Sequence, residues 1–421
     1  MRYRFERKKT ITVVVIAVLM LLLGGAYLWY AHNYGNAENI TLSPTKVIEY
    51  EWQECAASHG ITSDYIWSRT KELMVRGGED SVLIPSSYMI EGRLSYQDAE
   101  ESGVYLLSDQ GRLLTAYVRT SDRFNAAALK NEVLSRFNMD EEPVSEKIIW
   151  LDAYLQYYVS YGNAEDYSNI LSLVNSIFDQ DGMIIASDIE VVAYEDPSYL
   201  AVANQEVDYV DNVLENTTSD AQQSELTLIQ GVKLSSINLE LIRNLENNGL
   251  LPTGSYDRNL EIVTGGRASE DIPLYAYAYT MATDEDGNSI VSYIYSHDVV
   301  AAVDFEESVV TMRNLAEVEA LPDDSYSWLK NTVMNGYSLG SEYFIVSGSL
   351  GGSEGQDALT DILAIAFYRD DIDLYDRICV LLGSRVATYT DSPALSMIYR
   401  QRDGRYSFSA RENLEVCLAL L

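Results

Sequence analysis

The chain has 421 residues and a formal net charge of -35, from 29 Lys and Arg against 64 Asp and Glu. So acidic a surface repels nucleic acid and anionic lipid head groups, and leaves neutral or cationic partners. With three histidines and three cysteines, there is no spacing for a multi-histidine metal site, a zinc site or a disulfide framework. No cofactor is expected, and any acid–base chemistry falls to carboxylates.

Taken in chain order, Arg2, Arg4, Arg7, Lys8 and Lys9 precede an uncharged apolar run from Ile11 to Tyr30. About 20 such residues cross a hydrocarbon core of ~30 Å as a helix. The basic flank places the N-terminus in the cytoplasm. A cleaved signal peptide would carry a shorter apolar region, roughly 7–15 residues, closing on small side chains. This run closes instead on Tyr27, Trp29 and Tyr30, which suit a membrane–water interface. The expected organisation is a cytoplasmic stub (1–10), a transmembrane helix (11–30), a polar linker (31–45) and one extracellular domain (46–421). The protein is read as single-pass in the cell membrane.

Beyond the linker the pattern is helical. Leu113–Val118 continues into Ala126–Phe137, and Ile148–Tyr161 is followed by Tyr167–Phe178. Asp179 to Gly182 is a turn. Leu226–Leu245 reads as a helix closed by Asn247-Asn-Gly249. Val299–Ala320 pairs with Tyr326–Met334, and Ala358–Phe367 pairs with Leu374–Leu382. Asn413–Leu421 is the last helix. Two stretches break the rhythm: Tyr275, Tyr277 and Tyr279 alternate with alanines as an extended segment would, and Gly348–Gly355 is glycine-rich. Residues 108–122 parallel residues 353–370, each with a small polar start, a helix and a charged turn. Recurring helical hairpins imply a solenoid or a closed toroid, and the apolar final helix suits closure. Tyrosine is abundant, at 32 residues. Packing with a wet hydroxyl end accounts for most of it, while Trp150, Tyr154, Tyr157, Tyr158 and Tyr161 form one aromatic face that would also suit the flat faces of sugar rings.

Several segments resemble glycoside hydrolase family 8, in particular its membrane-anchored branch associated with exopolysaccharide production. The resemblance spans roughly residues 80–421 and rests on weak motifs in succession. Leu107-Ser-Asp-Gln-Gly-Arg-Leu-Leu-Thr-Ala-Tyr117 is similar to the family's first catalytic helix. Val144-Ser-Glu-Lys-Ile-Ile-Trp-Leu-Asp-Ala-Tyr154 is similar to its second hairpin, Leu234–Ile242 to a later core helix, and Glu270-Asp-Ile-Pro-Leu-Tyr275 to a loop that introduces the next hairpin. The resemblance implies an all-α (α/α)6 toroid and inverting hydrolysis of β-linked glucans, with an acid Glu and a base Asp about 6.5–9.5 Å apart. On this chain the acid slot reads Ser108, with Asp109 beside it, and the base slot reads Asn238. Ser353-Glu354-Gly355-Gln356 spells the family's acid motif in the last hairpin. Asp109 and Glu354 are therefore the catalytic candidates. Trp150, Asp152, Tyr154, Asp271 and Tyr275 are the candidates for substrate binding.

Three functions follow. The first is a domain that binds or guides a secreted, neutral β-linked polysaccharide without cleaving it. The second is an active inverting endo-β-glucanase-type hydrolase that uses Asp109 or Glu354 with another base. The third is a structural subunit of a membrane glycosyltransferase complex.

Overall fold

The computed structural model describes residues 39–75, 82–94, 99–192, 226–283, 289–297, 302–336, 339–345, 347–355, 358–402 and 404–421, together with residues 20 and 24. The expected membrane span lies outside the described residues apart from residues 20 and 24. Among the described residues, no helix is long and apolar enough to cross a membrane.

The helices, in chain order, are α1 (Tyr50–Ser58), α2 (Ser63–Arg69), α3 (Leu107–Arg119), α4 (Arg123–Arg136), α5 (Val144–Tyr161), α6 (Ala164–Ile177), α7 (Leu239–Asn247), α8 (Ser255–Gly265), α9 (Phe305–Glu317), α10 (Asp323–Met334), α11 (Leu359–Tyr368), α12 (Ile372–Gly383) and α13 (Ala410–Leu420). Their starts are written locally. Asp122, Asn163, Asn238, Asp304, Asp371 and Ser409 each accept a backbone N–H from the first turn of the helix they precede, satisfying a donor that has no partner within the helix. Their ends recur too. Ser121, Glu319 and Asp370 take a left-handed conformation (φ 56°, 62° and 54°) just past α3, α9 and α11, where Gly249 does the same past α7 (φ 71°). This is the usual way a helix is stopped and the chain turned back.

Packing sorts these helices into two layers. In the inner layer α3 packs on α5, α5 on the 3-10 turn Leu234–Ser236 that leads into α7, α7 on α9, α9 on α11, α11 on α13, and α13 back on α3. The ring is closed. Outside it, α4 covers α3, α6 covers α5, α8 covers α7 and α12 covers α11, while α10 packs on α12. The sixth outer place is filled from the N-terminal side: α2 packs on α13, and α1 on α12. The expected toroid is therefore present, and the last helix closes it.

Three small antiparallel sheets decorate the ring. They are β1 (Ser87–Glu91) with β2 (Ala99–Glu101), β10 (Arg400–Arg402) and β11 (Arg405–Ser409); β3 (Ser187–Val192) with β4 (Leu226–Lys233), β5 (Ala278–Thr283) and β6 (Ser289–Ile294); and β7 (Ala302–Asp304) with β8 (Gly340–Phe344) and β9 (Leu350–Glu354). These sheets correct the all-α expectation, and two helix readings with it: residues 302–304, read within the helix Val299–Ala320, form β7. Residues 226–233, read as the start of a long helix, form strand β4. Gly231 explains the difference: a Cβ there would lie 2.7 Å from the Ile189 Cδ1 and 3.0 Å from the Tyr279 carbonyl oxygen, so this residue permits β3, β4 and β5 to sit side by side. The extended reading of Tyr275–Tyr279 leads into β5, and the glycine-rich stretch supplies β9.

The core lies between the helical layers. Trp150, Tyr154, Tyr275, Tyr375, Phe305 and Phe408 are its largest fully buried side chains. Trp150, Tyr154, Tyr157 and Tyr161 form a chain of ring contacts with centroids 5.7, 6.2 and 5.8 Å apart. The aromatic face of α5 is thus packing.

Candidate active site

The N-terminal halves of α3, α5 and α13, with α9 and the cap of α7, surround a cavity of about 380 Å³. Ser108, Asp109 and Arg112 enter it from α3, Glu146 from α5, Glu307 and Arg313 from α9, Arg411 from α13, and Asn238 from the cap of α7. Hydroxyls are frequent on its wall: Ser86, Ser145, Ser235, Ser236 and Ser409. A second cavity of about 300 Å³ shares Ser145, Lys233 and Ser236 with the first and extends along β3 and β4 to Tyr277.

Close helix contact sets the geometry of the first wall. Gly111 sits where a Cβ would lie 3.0 Å from the Ile149 carbonyl oxygen and 3.2 Å from the Trp150 Cα, so α3 and α5 approach tightly. The same approach lets the Ser108 backbone N–H donate to the Glu146 Oε2 at 2.6 Å.

Asp109 stands out chemically. Its side chain is 2 % exposed, and Oδ1 has no hydrogen-bond partner. Burial, opposed by Arg112 at 3.5 Å and assisted by Glu146 and Glu415, raises its pKa from 3.8 to about 7. Below Asp109 the axis of the ring is filled with charge. Glu415 accepts from Arg112 at 2.9 Å, Arg411 at 3.2 Å and the Thr360 hydroxyl at 3.0 Å. Burial pushes the Glu415 carboxyl up, but Arg411, Arg112 and Arg313 outweigh it and hold the group well below the usual carboxylate range. Asp361 takes Arg313 at 2.6 Å and Arg411 at 3.2 Å. The arginines are thus fixed by carboxylates beneath the cavity, which is a pre-organised arrangement.

Across the ring, Glu307 pairs with Lys233 at 3.2 Å. The Lys233 ammonium also lies 4.9 Å from the Tyr277 ring centre. In ring order α9 stands three places from α3 in either direction. Glu307 therefore reaches the cavity from the side opposite Asp109.

The sequence candidates divide. Ser108, Asp109 and Asn238 meet at the cavity. The Asn238 Oδ1 accepts from the Leu241 backbone N–H at 2.9 Å, so this residue caps a helix. Trp150, Tyr154 and Tyr275 are corrected: each is 0 % exposed and has no face free to stack on a sugar. Among the described residues, no aromatic side chain lines the first cavity. Asp152 lies farther along α5, bonded by Gln156 at 3.0 Å. Its pKa is raised to about 7 by burial and by Glu317. Asp271 is exposed, in the loop before β5, away from both cavities. Glu354 is also relocated: the likeness of Ser353–Gln356 to an acid motif needs a helix start, whereas Glu354 ends strand β9 opposite Gly340, and α11 begins only at Leu359. Sequence reading missed Arg112, Glu146, Lys233, Glu307, Arg313, Arg411 and Glu415. A signal existed in isolated charges on otherwise apolar helices, Glu415 between Leu414 and Val416 above all. Among the described residues, no cluster of three or more His, Cys, Asp or Glu could hold a metal ion.

No protein-family model matches the chain, and no curated protein matches it in sequence. Solved structures do. An α-amylase from Clostridium perfringens superposes with a TM-score of 0.59 at 14% identity, over 86% of this chain and 98% of that one. An unsaturated glucuronyl hydrolase specific for heparin gives 0.52 at 10% identity, over 88% and 96%. A family 8 glycoside hydrolase from Teredinibacter turnerae, solved with xylobiose, is a weaker likeness at 0.42 and 10% identity, over 81% and 97%. The first two place the chain in a fold shared with carbohydrate-active proteins.

Proposed function

We propose that this chain is a carbohydrate-active protein whose cavity takes a neutral glycan and hydrolyses it with inversion, Asp109 serving as proton donor and Glu307 as proton acceptor. The observation that carries the reading is Asp109: a buried carboxyl on the cavity wall, protonated up to about pH 7, whose Oδ1 makes no hydrogen bond and lies 3.5 Å from the Arg112 guanidinium. Such a group can give its proton to a glycosidic oxygen while a carboxylate on the far side takes one from the attacking water. Serine hydroxyls and the Asn238 amide suit sugar hydroxyls, and the near balance of acids and bases around the cavity favours an uncharged substrate. The substrate read from the sequence is β-linked. The α-amylase relationship adds α-glucan to the substrates worth testing. The protein is placed outside the cell, tethered by residues 11–30, where it would act on a secreted polysaccharide beside a membrane glycosyltransferase.

The second reading is binding or guidance without cleavage. It is favoured by Asn238, which stands where the family resemblance calls for a base and is occupied in capping α7, and by the pairing of Glu307 with Lys233. A paired assay separates the two. Binding and release of reducing ends are measured on β-glucan, cellulose, chitosan, xylan and starch oligomers, for the wild type, Asp109→Asn and Glu307→Gln. Turnover lost at least 100-fold in both variants, with binding retained, is expected, since an acid–base group contributes roughly 10²–10⁴-fold. Binding with no turnover in the wild type selects guidance. Neither binding nor turnover sinks both.

A further inference from the structure

The N-terminal helix docks on the outer layer in strict register. Lys46 bonds the Asp370 carboxylate at 2.5 Å, a separation of 324 residues along the chain. Trp52 meets Tyr375 edge to face, centroids 4.8 Å apart. His59 lies against Gly383, where a Cβ would be 2.5 Å from the His59 carbonyl oxygen, and its Nε2 is 2.8 Å from the Asp376 Oδ1. The pairs 52/375 and 59/383 mark α1 and α12 as parallel helices in close contact, with facing residues one or two turns apart on each. The pair that the same offset puts between them is Cys55 and Cys379. Cys55 Sγ donates to the Asp376 Oδ1 at 3.3 Å, one turn from Cys379, and each thiol influences the other's titration. The third cysteine, Cys417, sits on α13 with its sulfur against the Ser63 carbonyl at 3.9 Å.

We propose that Cys55 and Cys379 form a disulfide that fastens α1, the helix nearest the N-terminal segment, to α12. A disulfide requires Cα atoms roughly 4.4–6.8 Å apart, and the shared offset puts Cys55 and Cys379 on facing turns of the two helices. The extracellular placement read from the sequence supplies an oxidising surrounding. The bond forms by exchange with a disulfide such as oxidised glutathione. The Cys55 thiolate attacks one sulfur and expels one glutathione thiolate, which takes up the proton that Cys55 gave. The Cys379 thiolate then attacks the Cys55 sulfur of the mixed disulfide and expels the second glutathione, protonated in the same way. Two protein thiols are oxidised and one glutathione disulfide is reduced to two thiols. Burial pushes the Cys55 thiol up to about 11, with Asp376 adding to the shift, and burial pushes Cys379 up as well. Little thiolate forms at neutral pH, so exchange in the folded protein is slow and the bridge is structural. It closes a very long loop, the case in which a cross-link restricts the unfolded chain most.

The test uses the full chain, reduced and unfolded, then refolded in oxidised and reduced glutathione so that exchange precedes burial of the thiols, unfolded again, alkylated with N-ethylmaleimide and weighed. Alkylation at Cys417 alone is expected, with a non-reduced digest that yields a peptide joining Cys55 to Cys379. Cys417→Ser should then carry no alkylated thiol. The melting temperature should rise by several degrees on oxidation in both proteins, and stay unchanged in Cys55→Ser. Three alkylated cysteines, a glutathione adduct that persists on Cys55, or a bridge involving Cys417 would overturn the assignment. So would an oxidised protein that melts with the reduced one.

Discussion

At the scale of single residues, Asp109 couples chemistry to stability. In the unfolded chain it titrates near 3.8, and in the fold near 7. Between those values the folded state holds the extra proton, so this residue's contribution to stability falls as pH rises from about 4 to about 7, and the deficit persists above. Asp109→Asn removes the ionisable group at nearly constant shape. The variant is expected to be more stable than the wild type at pH 8 by on the order of 1–3 kcal/mol and no more stable at pH 4, as measured by urea unfolding at the two pH values. On the proposed role of Asp109 as proton donor, wild-type turnover declines on the alkaline side with a midpoint near 7. Equal stability of the two proteins at pH 8 would contradict the buried-acid assignment. Glu415 is the opposite case. Arg112, Arg313 and Arg411 all converge on it. Glu415→Ala leaves those cations without their common partner and is expected to cost about 3–5 kcal/mol. A calorimetric melt that stays within a degree of wild type would show the network to be dispensable.

At the scale of elements, the α3–α5 crossing positions the chemistry. Gly111 lets the two backbones touch, and Asp109 and Glu146 flank that contact. Gly111→Ala gains about 1 kcal/mol of helix propensity but forces a methyl group into backbone, an overpacking that costs roughly 1–3 kcal/mol. The expected outcome is a net loss of stability together with reduced turnover, since parting α3 from α5 moves the donor. Denaturant melts and kinetics on the same preparation check both. Stability equal to or above wild type would mean that the helices can part freely.

For the whole molecule, closure is the decisive feature. The ring has no free end because α13 packs on α3, α11 and α2 at once. Its apolar face carries Leu414, Val416, Cys417 and Leu420, each at most 2 % exposed. Removing residues 410–421 opens the ring, exposes the flanks of α3 and α11, and deletes Arg411 and Glu415 from the site. Loss of a cooperative thermal transition is expected, seen by circular dichroism and by heightened protease sensitivity. A truncated chain that still melts cooperatively near the wild-type temperature would show the remaining helices to be self-sufficient, as in an open solenoid.

The sequence by itself determined most of the helical hairpins, though not α1, α2 or α8, with helix ends closer than helix starts, the closing role of the last helix, and the stretches that bring Ser108, Asp109 and Asn238 to the cavity. Those features are local: period, caps and turn residues act within one or two helical turns, and the similarity of residues 108–122 to 353–370 reflects a turn with a left-handed residue before an Asp cap in both hairpins. The membrane anchor and the extracellular placement are expectations of the sequence alone. Tertiary structure decided the rest. A short run such as residues 226–233 reads alike as helix or strand, and only its neighbours β3 and β5 made it a strand. The aromatic face of α5 read chiefly as packing but also suited a groove until the outer layer covered it. The charged site was least legible, because Asp109, Glu307, Arg313, Asp361, Arg411 and Glu415 are far apart in the chain. Their burial, their pairing and the raised pKa of Asp109 exist only where the inner helices α3, α9, α11 and α13 converge.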